Sequence, residues 1–503
     1  MSGPDDQTVA TVTAESKVRG FPLWTRLGKP QRALVFIILG YVAVFFGMAK
    51  HCHDVFGYDS GGTAVFNSMM WNTLHGRPFH ISALTTAEAR KPINNLAIHA
   101  AYFWVFLLPF YALIPGPATL LFLQSLALGL SAVPVYLIAR RLLKDETAAV
   151  LLGAAFILIP PIVSQNVNQI QEPSFLPVVL LFAIYFFIAQ RWGPFLVLCV
   201  LSCLNRENVP LAVAMFGLWA LVERRSWRWV VVPIVGGTVY FLFVTLVAMP
   251  YFREGESWHV AKQFEHLGNG PVGILVNLCT KPQLLFGHLL GADNVQYVVQ
   301  LVQPMGWLLP WLHPAALLAL PDLAANTLSN NSALKVIAWH YNLTTTSALF
   351  VSLIFTLRRL NGWLQQRWGC SQLVVLAAGI FLLAGAHWFL WFQPQMFRQR
   401  PYHDTLTKVI RSIPPQASVL SSFRIQAHFS SRPRYDALSV FQNYPAYARS
   451  FEYVVLDANE RQFPPFITRE FFESFRNNPE YELVFAENNV FVFRRPDGGA
   501  PIP

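Results

Sequence analysis

Charge is scarce in this chain. Only 13% of its 503 residues are Asp, Glu, Lys or Arg, against about 25% in a soluble globular domain. With 54% hydrophobic residues, that shortage excludes an ordinary soluble enzyme and points to a chain that crosses a membrane many times. Cysteine is scarce too. Cys52, Cys199, Cys203, Cys279 and Cys370 show no metal-ligand spacing. Cys199 and Cys203 fall one helical turn apart in an apolar run, and a disulfide between Cys52 and Cys279 stays open. No HExxH, P-loop, GxSxG or dinucleotide fingerprint occurs, which sets soluble nucleotide chemistry aside. The net charge of +10 is spread over short loops, with no basic patch interleaved with aromatics. Nucleic acid is therefore not an expected partner, and anionic headgroups of a lipid bilayer are. There is no internal repeat and no low-complexity tract. The layout is not that of a cleaved signal: "KVRGFPLWTRLGKPQR" precedes the first apolar run and no small-residue cleavage site follows it.

What is present is apolar and aromatic, with 41 Phe and 15 Trp, as lipid-facing helices and interfacial belts require. Membrane segments are expected at 33–50, 117–139, 147–165, 173–190, 229–250, 341–357 and 371–391, and as short hairpins at 194–204 with 208–222 and 296–312 with 314–329. Residues 96–116 are apolar enough to span. If they span, the later basic loops face outward; if they lie in the interface, Arg140, Arg141, Lys144, Arg191, Arg224, Arg225, Arg228, Arg358, Arg359 and Arg367 all face the cytoplasm. The positive-inside rule selects the interfacial solution. It sends to the outer side residues 51–116, 166–174, 204–208 and 251–295.

The expected organisation is a cytoplasmic tail over 1–32, a membrane domain over 33–395 and a small extracytoplasmic α/β domain over 396–503. In the last, "ASVLSS", "RYDALSV", "EYVVLDA", "YELVFA" and "NVFVFRR" read as strands, the final two as a hairpin, and "TREFFESFRNNP" as a short helix. The whole is an α-helical polytopic protein of about 11–13 membrane helices, short hairpins included, with that α/β domain appended. Its expected location is a membrane crossed many times, with the C-terminal domain on the outer side.

Four places carry residues capable of chemistry. Asp54 and Asp59 follow the first helix. After them "SGGTAVFNSMMWNTLHG" has helical apolar spacing and reads as a helix lying on the membrane, with Ser60 as its N-cap. Asp59 fits a general base or metal ligand; it fits a solvated loop acid as well. Gln171 and Glu172 open a helix at Pro173, beside Asn166, Asn168 and Gln169. This polar run reads as a donor-rich surface for hydroxylated ligands, and Glu172 also fits a capping acid. Arg206 and Glu207 in "NREN" stand between two apolar arms, where ionisable groups mark functional sites by default. Arg206 fits a phosphate fork or a paired structural charge. His99 sits on an apolar stretch, Arg77, Arg90 and Lys91 flank that loop, and His340 starts a later helix on the same side.

"WNTLHG", "PFYALIPGPATLLFLQSLALGLSAVPVYLIARRLL", "PPIVSQNVNQIQEPSFLPVVLLFAIYFF", "LNRENVPL", "HYNLTTTSALFVSLIFTLRRL", "IPPQASVLSSFRIQAHFSSRP" and "YVVLDA" resemble, in this order, the domain-of-unknown-function family 2079 of bacterial multispanning proteins. The resemblance covers roughly residues 33–495 and extends to the GT-C membrane glycosyltransferases, which use polyprenyl-linked sugar donors on the outer side. It implies a GT-C-like fold in the bacterial cytoplasmic (inner) membrane, and it implies transfer of a sugar from a polyprenyl-phosphate-linked donor to an extracytoplasmic glycan, lipid or protein. By position, the family's acid before the surface helix matches Asp59. A second acid is Asn67 here, the family histidine is His99, "HPE" becomes "QEP" with Gln171 and Glu172, and "KED" becomes Arg206, Glu207 and Asn208. About three extra residues lie in the glycine-rich part. The implied roles are Asp59 and Glu172 as catalytic groups, with a divalent metal such as Mg or Mn admissible between them. Asp54, Lys91, His99, Gln171, Arg206, Glu207 and His340 are the implied substrate-binding groups. The alternative is a non-catalytic lipid- or glycan-binding assembly protein on the same scaffold. A transporter would show pseudo-repeated halves and charges inside long helices, which the sequence does not.

Overall fold

The computed structural model describes residues 27–58, 61–83, 93–253, 259–268, 273–274, 276–277, 280–388, 393–438, 448, 450–460 and 469–496. Helix dominates, as it must where no water is present to satisfy backbone groups. Helix α1 (Lys29–Asp54) is followed by α2 (Gly62–Leu74) and a two-residue antiparallel ribbon, β1 (His80–Ile81) with β2 (Ile93–Asn94). A 3₁₀ turn (Tyr102–Leu107) leads into α3 (Leu108–Leu113), then α4 (Pro117–Leu130) and α5 (Ala132–Leu143), which together form one span. Helices α6 (Glu146–Leu158) and α7 (Pro160–Val167) bend by 50° at Pro160–Pro161, where prolines remove the donors that would continue α6. Next come α8 (Leu176–Ile188), α9 (Trp192–Cys203), α10 (Val209–Val222), α11 (Trp227–Phe243) and α12 (Met249–Arg253). Helices α10 and α11 pack closely because Gly217 admits the Val230 carbonyl oxygen, which would lie 2.3 Å from any Cβ there.

After α13 (Pro282–Leu289), the chain from α14 (Ala292–Val302) to α15 (Leu320–Leu328) forms a re-entrant hairpin with 3₁₀ turns at its apex. The apex reaches the far end of the bundle. The Leu312 carbonyl accepts from Arg359 near the end of α16 (Leu343–Trp368), and Val222 at the end of α10 lines the same groove as Trp311 and His313. Helix α17 (Leu373–Trp388) closes the bundle against α6. Residues 102–113 make only a short apolar helix, not one of the four that are long and apolar enough to cross a membrane. They expose Val105, Phe106, Phe110, Leu113 and Ile114.

The C-terminal unit holds α18 (Tyr402–Ser412), α19 (Gln426–Phe429), α20 (Arg469–Arg476) and a five-stranded sheet of order β4-β3-β5-β7-β6. Strands β3 (Val419–Ser421), β4 (Tyr435–Ala437) and β5 (Tyr453–Asp457) run parallel, whereas β6 (Glu482–Glu487) and β7 (Val490–Arg494) form an antiparallel hairpin. Its turn residues Asn488 and Asn489 both have positive φ (52° and 60°), the conformation a tight hairpin demands and Asn tolerates. The strands and helix fall where alternation and capping signals in the sequence put them.

One face of the sheet is covered by α20 through Phe471 and Phe475. The other contributes Val419, Tyr435, Val455 and Val492 to a core shared with Phe66, Met69 and Met70 of α2 and with Trp104. Fully burying such side chains contributes roughly 1.5–3 kcal/mol each. Helix α2 therefore does not lie on the membrane with a wet face, as its sequence suggests. Asn67 donates to Ser430 and Ser431 (both 2.8 Å), and Asn72 to the Ser82 hydroxyl (3.0 Å) and the His80 carbonyl (3.0 Å). Its polar side is bonded to protein.

Candidate functional site

A buried charged cluster forms where the interfacial segment meets the loops before α8 and α10. His99 arrives just before the 3₁₀ turn at Tyr102, and its loop is tied down by the Phe103 amide donating to the Leu204 carbonyl (2.9 Å). His99 Nδ1 donates to Glu207 Oε1 at 3.0 Å, while the Ala100 amide donates to Glu207 Oε2 at 3.2 Å. Arg206 Nε lies 3.6 Å from Glu207 Oε1. Its guanidinium stands 5.3 Å from the Tyr341 ring, and its terminal nitrogens donate to no described group. Across the cluster, His99 Nε2 is 4.0 Å from Glu172 Oε1. Glu172 is 3% exposed and accepts no hydrogen bond from any described residue. Burial alone would push the Glu207 carboxyl up. The charge and hydrogen bond of His99, then Arg206, outweigh it and pull the group down to about 2.

Of the residues singled out in the sequence, His99, Glu172, Arg206 and Glu207 meet here. His340, half-buried, packs against Tyr341 beside them (4.0 Å between ring centroids). Asp54 is held elsewhere: it is half exposed and paired with Lys50 at 2.5 Å. Asp59, Lys91 and Cys279 lie outside the described residues. Helix α2 starts at Gly62 with Gly61 as its N-cap, and no side chain caps it. A Cβ on Gly62 would come within 2.6 Å of Gln171 Nε2, so a glycine is what lets α2 begin against that residue.

The polar run before Glu172 is not a free donor surface. Gln165 donates to Gln124, to Ser174 and to the Gln169 carbonyl (3.2, 2.9 and 3.2 Å). Asn166 accepts from Ser125 (2.7 Å), Asn168 donates to the Ala338 carbonyl (3.0 Å), and Gln169 accepts from the Thr63 amide (2.9 Å). These side chains bond α4, α7 and α2 together.

Sequence reasoning missed Asp322. It is buried in α15 and accepts from Asn208 at 2.6 Å, and its charge faces Arg206. An acid inside the apolar hairpin "ALPDLAAN" was the available signal. Asn67, where the resembled family has an acid, is spent on Ser430, Ser431 and the Tyr111 hydroxyl, which donates to Asn67 Oδ1 at 2.8 Å. Among the described residues no three His, Cys, Asp or Glu side chains are arranged to hold a metal ion.

The fold is that of a multi-pass membrane protein. The chain belongs to the family described as Predicted membrane protein (DUF2079), whose model matches residues 56–492. Among solved structures, it is similar to ArnT from Cupriavidus metallidurans bound to undecaprenyl phosphate. The TM-score is 0.55 at 12% identity, covering 91% of this chain and 97% of that one. The apo form of the same protein aligns with a TM-score of 0.49 at 11% identity over 90% and 98%. At such identity the likeness is one of fold. Comparison with curated proteins finds no match.

Proposed function

We propose that this protein transfers a sugar from a polyprenyl-phosphate-linked donor to an acceptor on the sheet side of the membrane. The observation that carries the reading is Glu172. Glu172 is 3% exposed, accepts no hydrogen bond from any described residue and faces a histidine at 4.0 Å, an arrangement in which the donors of a bound group would lower the cost of its burial. Hydroxyls of a sugar or of an acceptor supply the missing donors. Arg206 supports the phosphate side. Glu207 occupies its Nε, and the two terminal nitrogens are left to face a phosphate as a planar fork. Asp59 orients the acceptor, and Lys91 joins Arg206 in offsetting the leaving phosphate. A fold shared with a protein solved with undecaprenyl phosphate bound supports the donor class by analogy only.

In this reading the sheet faces the extracytoplasmic side of the bacterial cytoplasmic membrane. The supporting pattern is that Arg225 and Arg228 cluster with Phe187 and Trp192, and Arg359 with the hairpin apex, all at the end away from the sheet. Labelling of introduced cysteines checks it: a probe at 450 should react from outside and one at 144 should not.

The functional test is binding of undecaprenyl phosphate to the purified protein by native mass spectrometry. The lipid should bind, and Arg206→Lys should weaken it about 10-fold. Equal binding in both would remove the phosphate from this cluster. The bonded Asn67, in place of a family acid, favours a second reading, a non-catalytic lipid-binding member. That reading predicts binding with no turnover of any polyprenyl-linked sugar.

A further inference from the structure

The contacts of His99 decide where its proton sits. Glu207, ionised, is an acceptor only. Its Oε1 lies 3.0 Å from His99 Nδ1, and its Oε2 is already held by the Ala100 amide at 3.2 Å. Nδ1 must therefore carry the hydrogen, so that in the neutral ring the lone pair is on Nε2. That nitrogen points across the cluster toward Glu172 Oε1, 4.0 Å away. A hydroxyl has a single hydrogen, so an acceptor oxygen about 2.8 Å from Nε2 donates to that nitrogen alone. His99 is partly open, with 17% of its side chain exposed, whereas Glu172 is enclosed.

We propose that His99 is a catalytic base for the acceptor hydroxyl, that Glu207 is its positioning residue, and that Glu172, across the cluster, stabilises the imidazolium that forms. This rests on the transferase reading above. In the step, His99 Nε2 takes the hydroxyl proton as the acceptor oxygen bonds to the anomeric carbon of the donor. The bond from that carbon to the phosphate oxygen breaks, and its electron pair leaves with the polyprenyl phosphate. The imidazolium so formed lies between two carboxylates, Glu207 and Glu172, which stabilise it. Arg206 and the new positive charge on His99 both act as negative charge grows on the leaving phosphate. Among the described residues His340 and Arg206 also face this cluster, and Arg253 acts on Glu207. The arrangement is a carboxylate–histidine pair with the roles of orienter and base, assembled from a loop and a helix apex 108 residues apart.

Two measurements on the reconstituted full-length protein test it. The first is ¹⁵N spectroscopy of histidine-labelled protein at neutral pH, with the His99 signals assigned by their loss in His99→Gln. A protonated Nδ1 and a lone-pair Nε2 are expected, and Glu207→Gln should disturb that pattern. An Nε2-protonated ring, or an imidazolium, overturns the proposal. The second is release or transfer of label from a panel of polyprenyl-phosphate hexoses and pentoses. His99→Gln, which keeps hydrogen bonding without basicity, should lower kcat by about 10²-fold or more, with undecaprenyl phosphate affinity within about twofold of the native protein. Native turnover that survives in His99→Gln overturns this inference and leaves the transferase reading standing. A native protein that binds undecaprenyl phosphate yet consumes no member of the panel overturns both.

Discussion

Two buried polar regions lie side by side in this molecule, and they differ in one respect. Around Gln124, Gln165, Asn166 and Ser174 the groups are neutral and bond mainly to one another: Ser174 donates to Gln124 (2.7 Å), Gln165 to both, and Gln124 in turn to the Gln165 carbonyl (3.0 Å). Beside them, at Glu172, Arg206 and Glu207, the groups are charged. Glu172 accepts nothing from the described protein, and Arg206 keeps two nitrogens in reserve. Unmet hydrogen-bonding capacity occurs in both regions, since Asn166 Nδ2 of the neutral one is buried and donates to no described group; what separates them is charge.

The largest effect should come from removing the cation of the charged region. Arg206→Met leaves Glu207, Glu172 and Asp322 without their guanidinium, and breaking a buried pair in this way costs about 3–5 kcal/mol. Thermal unfolding in detergent reads the loss. Little or no loss would mean that water reaches the cluster freely.

Acid should affect a different place first. His428 of the C-terminal unit is stacked on His53 at 4.1 Å and donates to its carbonyl at 3.1 Å. Burial, and more weakly Lys50, lower it to about 4 from its ordinary 6.5, against that hydrogen bond and the charge of Asp54. The unfolded chain therefore binds the extra proton first, and stability falls as pH drops from 6.5 toward 4. Glu207, depressed to about 2 from 4.5, contributes stability that is lost only as pH falls from 4.5 toward 2. Unfolding followed against pH should show the upper limb, and His428→Gln should reduce it by one group's share, since His403 is lowered by burial as well and His53 is buried beside His428. An upper limb unchanged in that variant would assign it to other groups.

The neutral network should respond more modestly. Gln165→Leu removes three hydrogen bonds but leaves their partners access to one another, at about 1–3 kcal/mol, and undecaprenyl phosphate binding should not change. Weakened lipid binding with normal stability would erase the distinction between the two regions. Smaller still, Asn67→Ala should cost about 1 kcal/mol by loosening α2 from Ser430 and Ser431, seen as faster proteolysis of the C-terminal unit. No change in cleavage would show that the shared apolar core alone holds that junction.

Much of this was legible in the sequence. His99, Glu172, Arg206 and Glu207 stood out as ionisable groups in apolar surroundings, and they converge. The strands of the C-terminal unit followed from alternation, and their hairpin from Asn488 and Asn489. What the sequence hid were partners distant along the chain. The run from Asn166 to Gln171 looked free because Ser125, which donates to Asn166, lies some 40 residues earlier. Helix α2 looked wet because Ser430 lies 363 residues later. Asp322 was passed over because its hairpin was read for hydropathy, where one acid among apolar residues barely registers.

The most direct test of the account is a structure of the protein with undecaprenyl phosphate bound in lipid. The headgroup phosphate is expected within about 4 Å of the Arg206 guanidinium, on the sheet side of the bundle, with Glu172 and His99 across from it. A headgroup found instead at the opposite end, in the groove of about 480 Å³ lined by Val222, Trp311, His313 and Leu317, would contradict it.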